Sequence, residues 1–460
     1  MPSSFSNNLA AQERRAAVSL AMIYAFRMLG LFMILPVFAL YSDKLPGATP
    51  LLMGIALGIY GLTQALLQIP FAMWSDKIGR KPVLYIGLLI FAVGSMVAGS
   101  AESIEGIIFG RALQGAGAIA ATLMALAADL SREEHRLKMM AMIGASIGAA
   151  FALSMVIGPM MNALIGISGI FYSTAVMALI GMLILYFIVP DPLVSYFHLD
   201  AQLKPSSLAD VFKDKELLRL DAGIFILHFV LMSLFLVMPL LLRDFVELAP
   251  EKHWQLYLPV FAVSLVVMLP FIILAERKQA MKPVFVGAII ASIVATLGFL
   301  FSSSVTFFIL SLVLFFAGFN LLEASLPSLI SKTANATQKG TAMGVYSSSQ
   351  FFGAFAGGTV GGFAHQHWGV QGIYYVVLLV LTLWLLLALS MKKPLYLSTY
   401  LLNVNNVSVE QLLAVEGVIE ATLIDDEKES GVVAYLKVKK RILDEEKLLS
   451  LATSDRAASL

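Results

Sequence analysis

The sequence predicts an all-α membrane protein of twelve transmembrane helices in two six-helix pseudo-repeats, followed by a small α+β, ferredoxin-like C-terminal domain. Three observations carry this prediction. Of 460 residues, 59% are hydrophobic and only 13% charged, with a mean hydropathy of +0.86. A soluble chain of this size cannot hide that much apolar surface. Apolar runs of about twenty residues, long enough to cross a ~30 Å hydrocarbon core as helices, recur along the chain. Motifs of the first half return 200 to 203 positions later.

The twelve runs lie at 16–40, 51–74, 82–100, 104–128, 138–162, 169–190, 217–242, 254–275, 283–301, 305–330, 340–364 and 369–391. They are uniformly apolar, whereas the strands of a membrane barrel would alternate. The first run is too long for a signal-peptide core and no small-residue cleavage site follows it, so it is expected to be retained. Nineteen Lys and Arg fall at one set of run ends, against Lys44, Arg243 and Lys252 at the other. The positive-inside rule then places both termini in the cytoplasm. There is no cysteine, which excludes disulfides and thiolate metal ligands.

The halves repeat in detail. "IPFAMWSDKIGRKPV" (69–83) matches "LPFIILAERKQAMKPV" (269–284), pairing Pro70 with Pro270, Asp76 with Glu276 and Pro82 with Pro283. "KMMAMIG" (138–144) answers "KGTAMGV" (339–345), and "GISGI" (166–170) answers "GVQGI" (369–373). Bundles are therefore expected at 16–190 and 217–391, joined by a polar linker over 191–216 with Pro192 and Pro205. Six helices per bundle make the repeat parallel, which puts a binding site between the halves near the bilayer midplane. Residues 394–460 change character. Alternating "YLSTYLL", "VIEATLI" and "VVAYLKVKK" read as strands, and "DDEKESG" as the turn between the last two. "SVEQLLAVEG" reads as a helix with a Ser408–Gln411 capping box and Gly417 as its stop. "DEEKLLSLA" reads as a second, short helix. The tail's eleven Asp/Glu against seven Lys/Arg argue against nucleic acid or anionic lipid as a partner.

At this point the motifs resemble a known family. "AMWSDKIGRK" (72–81) is similar to the loop 2–3 signature of the major facilitator superfamily. "IIFGRALQGAGAIA" (107–120) resembles the helix 4 signature of its proton-driven antiporters, and "LGLFMILPV" (29–37) the helix 1 pattern of its 12-helix drug:proton antiporters. The tail resembles the C-terminal domain of a bacterial member of that group. Three positions depart from the pattern: Ala72 stands for the first Gly, Ala39 for a second Pro, and "GPMMN" for G-P-x-x-G-G. The resemblance implies a proton-coupled transporter and assigns Arg111 a role in proton coupling.

The residues themselves suggest three sets. The first is a conformational gate: Asp76, Lys77, Gly79, Arg80 and Lys81 in the loop, with Asp129 closing the fourth run as a partner for Arg80. The start of the eleventh run, at Gly340 and Thr341, presents unpaired N–H groups that suit the Asp76 carboxylate. The second set is proton coupling: Arg111, Glu323, Arg27 and His228. Arg111 lies about seven residues, or ~10 Å, inside the fourth run, and needs a partner or a wet cavity. Gly115 and Gly117 allow the close packing that keeps it from lipid, and its bland alternative is bonding to first-run carbonyls. Glu323 is expected to be the one acid deep inside a run, where desolvation favours its neutral form, its bland alternative being a static pair with an Arg across the cavity. His228 serves as relay or as a hydrogen-bonded core residue. The third set is a substrate cavity: Tyr60, Gln64 and Gln68 at i, i+4, i+8 on one helical face, with Gln114, Asn320 and Gln350 as cavity or helix–helix contacts.

The function expected is efflux of a small, partly apolar solute against inward proton flow, with no cofactor beyond the proton gradient. The partners expected are the lipid bilayer, protons and that solute, and the chain is expected to be a monomer. Proton-coupled uptake and a membrane sensor signalling through the tail are the alternatives. No GxSxG is expected at the spacing that catalysis needs, and no HExxH, Walker A or paired-aspartate signature is present, so neither an enzyme nor direct ATP use is expected.

Overall fold

The computed structural model describes residues 3–131, 133–191, 205–335, 338–392, 398–404, 407–426, 431–439 and 442–453. The chain is mostly helical. The first group comprises α1 (Ser3–Phe32), α2 (Leu35–Phe38), α3 (Pro50–Ile78), α4 (Arg80–Ser100), α5 (Ile104–Ala116), α6 (Ala120–Asp129) and α7 (Glu133–Phe187). The second comprises α8 (Pro205–Lys213), α9 (Lys215–Phe235), α10 (Met238–Asp244), α11 (His253–Arg277), α12 (Met281–Leu300), α13 (Val305–Thr333) and α14 (Lys339–Leu389). Of the linker, residues 192–204 lie outside the described residues, Pro192 and Lys204 among them, as do Arg132 and Lys393.

Among the described residues, ten helices are long and apolar enough to cross a membrane, where twelve runs are expected. The difference falls in two places. The fifth and sixth runs join in α7, and the eleventh and twelfth in α14, with apolar stretches of 49 and 51 residues. Each breaks at a glycine in the left-handed region, Gly166 (φ 68°, ψ −178°) and Gly369 (φ 63°, ψ −160°). That backbone is open almost only to glycine. These are the glycines paired by the internal repeat, so both halves break at the same point.

Other local features also follow the repeat. Ser103 and its repeat counterpart Ser304 each cap a helix start, accepting from Gly106 N–H (3.3 Å) and Phe307 N–H (3.3 Å), and Thr49 caps α3 by accepting from Leu52 N–H at 3.2 Å. Lys81 Nζ donates to Val189 O at 2.7 Å, beyond the end of α7. Its repeat counterpart Lys282 donates to Leu389 O at 2.8 Å and Met391 O at 2.5 Å, at the end of α14. Both ammonium groups satisfy orphan carbonyls where the helix dipole favours a cation.

The bundle's surface is apolar. Val266 is 66% exposed, Leu310 61% and Leu386 60%, a distribution suited to lipid and not to water. Between the groups, α3 packs along α14. A Cβ on Gly54 would strike the carbonyl of Gly358, and one on Gly358 would strike that of Gly54, so the two backbones touch. Leu51 N–H donates to Gln366 Oε1 at 3.3 Å nearby. Deeper in, the Phe151 ring of α7 meets Phe261 at 5.6 Å and Phe319 at 5.7 Å. These close approaches lie in the middle and at the end opposite the lysine- and arginine-rich ("basic") end.

The tail has a core of its own, built from Val404, Leu412, Val415, Val418, Ala434, Leu436, Val438 and Leu448. Strands β1 (Ser398–Val404), β2 (Val418–Asp426) and β3 (Gly431–Val438) form an antiparallel sheet in the order β1-β3-β2. Helix α15 (Val409–Leu413) starts on a capping box: Gln411 N–H donates to Ser408 Oγ (3.3 Å) and Ser408 N–H to Gln411 Oε1 (2.8 Å). Gly417 has φ 91°. Helix α16 (Glu445–Thr453) is tied to β1 by Tyr400 Oη donating to Glu445 Oε1 at 2.6 Å. Residues 427–430 of the expected turn lie outside the described residues.

Candidate functional site

At the basic end, Gly79 (φ 96°) links α3 to α4 without a cap side chain. The turn delivers Arg80 into the protein, 5% exposed. Arg80 pairs with Asp76 on its own turn, donates through Nε to Asp129 Oδ2 at 3.2 Å and through Nη1 to Ser75 Oγ at 2.7 Å. One buried guanidinium thus joins the ends of α3 and α6. Lys77 is exposed, and Lys81 also pairs with Asp191 at 2.7 Å. Asp129 is almost fully buried and Asp76 about one-third exposed. The repeat copy keeps the contact with its charges exchanged: Glu276 ends α11 and meets Lys332 of α13 at 2.9 Å. Arg80→Ala removes the guanidinium that joins the buried Asp129 carboxylate to Ser75 and Asp76. It is expected to cost about 3–5 kcal/mol, read as a lowered Tm of the purified protein, and an unchanged Tm would mean that water replaces the guanidinium.

In the middle of the first group, two arginines flank one tyrosine. Arg111, 1% exposed, donates to Ala56 O (3.3 Å), Leu57 O (3.3 Å) and Gln114 Oε1 (3.1 Å). Its carbonyl partners belong to α3 and not to the first helix. Gln114 in turn donates to Ser95 Oγ at 2.8 Å. A Cβ on Gly115 would run into Tyr60 O and Thr63, so glycine lets α5 approach α3 closely enough for these bonds. Arg27, 3% exposed, bonds Gln64 Oε1 and donates to Gly117 O at 3.0 Å. That carbonyl also accepts from Ile119 N–H at 2.9 Å, and it is turned out of the helical ladder because the fourth run unwinds between α5 and α6 at Gly117 (ψ 52°). Tyr60 sits between the guanidinium groups, with ring centroid 5.8 Å from Arg27 and 5.2 Å from Arg111. Gln64 Nε2 donates to Gln68 Oε1 at 3.2 Å. The Tyr60, Gln64 and Gln68 stripe is buried against protein, and Tyr60 reaches Phe351 of α14 at 6.2 Å.

In the second group, Gln350 is the hub. Its Nε2 lies 2.9 Å from His228 Nε2 and donates to Glu323 Oε1 at 3.2 Å. With the amide nitrogen so placed, His228 Nε2 accepts and Nδ1–H donates to Ile224 O at 3.3 Å. Glu323 Oε2 is 3.9 Å from His228 Nε2 and has no hydrogen-bond partner among the described residues. The Glu323 side chain keeps 32% exposure, although it lies about 15 Å inside α13 by helical rise. It therefore borders a crevice. Asn320 lies apart and donates to Ser264 Oγ at 3.2 Å, joining α13 to α11. Gly340 and Thr341 occupy the first turn of α14, with Thr341 buried.

Two corrections follow. Glu323 is not the one acid inside the helices: Asp221 of α9 is 5% exposed. The sequence signal was available, since Asp221 is seven positions before His228 and shares its helical face. The motif G-x-S-x-G also occurs once as "GASIG" (144–148). Ser146 lies within α7 and donates to Ile143 O at 2.7 Å, with no strand-to-helix elbow to expose it.

A many-helix membrane bundle in two groups, with ionisable side chains gathered in mid-helix and a charged loop at one end, defines a solute transporter. The chain belongs to the Major Facilitator Superfamily, whose profile matches residues 20–319 and 251–399. It is 42% identical over 438 residues to the inner membrane transport protein YajR of Escherichia coli (strain K12), covering 94% of this chain and 95% of that protein. An uncharacterized transporter of Buchnera aphidicola subsp. Acyrthosiphon pisum is 35% identical over 75% of this chain and 89% of its own length. Among solved structures, a bacterial homolog of the human lysosomal transporter Spinster, in an inward-facing and occupied conformation, matches with a TM-score of 0.65 at 14% identity. That match covers 81% of this chain and 94% of the other. The family and relatives are transporters, and the chain is a transporter and not an enzyme.

Proposed function

We propose that the chain is a proton-coupled antiporter of the bacterial inner membrane that exports a small, partly apolar solute by alternating access. The observation that carries this reading is Glu323: a mid-helix carboxyl on a side chain about one-third exposed, within reach of Gln350 and His228. Such a group can hold a proton on one side of the membrane and lose it on the other. Arg27 and Arg111 supply the fixed positive charges across the boundary. In this reading the solute is taken between the halves, where phenylalanine rings such as Phe151, Phe261 and Phe319 give an adaptable wall. Each of α7 and α14 is read as two spans around its glycine break, making twelve, with both termini cytoplasmic. The tail's β-α-β-β-α order and β1-β3-β2 sheet support a ferredoxin-like domain with three strands among the described residues.

The close contacts at the end opposite the basic loop support a state shut toward the periplasm. Closure of the cytoplasmic side would then bring Asp76 to the first turn of α14, at Gly340 and Thr341, with Arg80 and Asp129 bracing the loop. That contact is worth ~1 kcal/mol. Asp76→Asn is expected to leave insertion unchanged and to speed thiol labelling of a cysteine placed at Gly340. Equal labelling in both backgrounds would remove the latch.

A sensor reading has one observation in its favour. Lys437 of β3, 7% exposed, pairs with Glu420 at 2.9 Å and donates to Ala334 O at 2.8 Å, capping α13. The tail thus touches the helix that carries Glu323. An exporter deleted for 394–460 keeps transport, whereas a sensor loses its output. The reading as a whole is tested with purified protein in proteoliposomes, a panel of solutes and an imposed pH gradient. Solute movement that follows the gradient and collapses with a protonophore is expected, and movement indifferent to the gradient would contradict it.

A further inference from the structure

Asp221 has no part in the scheme above, yet it is the most exactingly placed acid in the second group. It lies in the second turn of α9, 5% exposed, and neither carboxylate oxygen has a hydrogen-bond partner among the described residues. A bare carboxylate inside a membrane helix is costly and marks an ion or proton pathway. Opposite it, α14 presents Tyr346, 4% exposed, whose hydroxyl is likewise unpartnered. Asp221 and Glu323 both lie near enough to act electrostatically on that phenol. Glu323, from α13, supplies the third unpartnered oxygen, its Oε2.

The three stand at rising heights. From the helix ends at the basic side, Asp221 is about 9 Å in, Tyr346 about 10 Å and Glu323 about 15 Å, at 1.5 Å per residue. Higher on α9, His228 meets Gln350 at 2.9 Å, and toward the basic end the other ionisable groups are engaged or exposed. Arg219 and Glu216, below Asp221 on α9, pair with each other. Asp210 and Lys213 of α8 are exposed. On α3, Tyr60 lies between the two arginines, and Asp76 and Lys77 lie at the loop.

We propose that Asp221 is a second proton-binding site, the port through which Glu323 exchanges its proton with the compartment at the basic end. The inference rests on the proton-coupled reading. The neutral Glu323 acid gives its proton to water admitted between α9, α13 and α14. The Asp221 carboxylate takes up one proton from that water and releases it to the bulk. Tyr346 accepts one hydrogen bond and donates one along the way. No other bond changes, and the reverse sequence loads Glu323.

The test needs no solute. Infrared difference spectra between acid and alkaline pH, recorded on the full chain in lipid vesicles, count neutral carboxylic acids by their C=O bands. Transfer to D2O then times the exchange of each acid proton. Wild type is expected to show two buried acid bands, one lost in Glu323→Gln and the other in Asp221→Asn, with Asp221→Glu restoring a shifted second band. In Asp221→Asn the exchange of the Glu323 band should slow by at least about a hundredfold, the low end for a positioned acid–base group, and Tyr346→Phe should slow it too. Asp221→Asn should melt at or above the wild-type Tm, because it removes an unpaired buried charge. Wild-type bands in Asp221→Asn, unchanged exchange, or a lowered Tm with both bands kept in Asp221→Glu would each overturn the port. If Glu323→Gln removes no band, the proton-coupled reading itself fails at Glu323 and takes the port with it.

Discussion

Arg111→Ala is expected to abolish proton-driven solute movement in proteoliposomes, and Arg111→Lys to restore little of it. The guanidinium holds three acceptors at once: two successive carbonyls of α3 and the Gln114 side chain. A lysine ammonium is one point on a flexible stem and cannot reproduce that fork. Loss of charged hydrogen bonds of this kind costs about 3 kcal/mol, or roughly a hundredfold in rate if it falls on the conformational step. The effect has a route across the boundary. Arg111 lies under the Tyr60 ring, Tyr60 meets Phe351, and Phe351 follows Gln350, which holds Glu323 and His228. Full activity in the lysine variant would mean that charge alone matters at this position. Full activity in the alanine variant would remove Arg111 from the mechanism.

Glu323→Gln is the second large effect. The amide keeps the shape of the carboxylic acid and can still meet Gln350, so the fold and the solute site should survive. What it cannot do is lose a proton. Exchange of solute between equal pools, which moves no net proton, is therefore expected within a few-fold of wild type, while accumulation driven by a pH gradient disappears. Wild-type accumulation in this variant would make Glu323 structural. Loss of exchange and accumulation together would place it in the solute site and not on the proton path.

Much of the architecture was readable from residue order alone because lipid imposes a coarse rule: a span must be long and apolar. The repeat was legible at Gly166 and Gly369, where a backbone requirement leaves one residue type. The capping box at Ser408 and Gln411 was legible for the same reason. What escaped was set by local backbone detail inside uniform apolar stretches. Nothing in 104–128 announces that the helix unwinds at Gly117 and turns a carbonyl toward Arg27. The identity of the carbonyls that receive Arg111 depends on the approach of α5 to α3 at Gly115, a contact 55 positions apart in sequence. Asp221 does not stand out in the sequence because it lies in the second turn of a helix whose first residues, Lys215 and Glu216, are charged. Only its burial by α14 and α13 separates it from its solvated neighbours.

The central claim is that the two groups rock about a fixed site under control of the proton on Glu323. Paired spin labels test it most directly, and the cysteine-free sequence lets them be placed without background. One pair, at positions 77 and 339, spans the basic end, and a second, at 44 and 252, spans the opposite end. Acidification is expected to change the two distances in opposite senses. Glu323→Gln at neutral pH is expected to show the distances that wild type adopts in acid and to lose most of the pH response. Distances that ignore pH, or that lengthen together at both ends, would contradict the account.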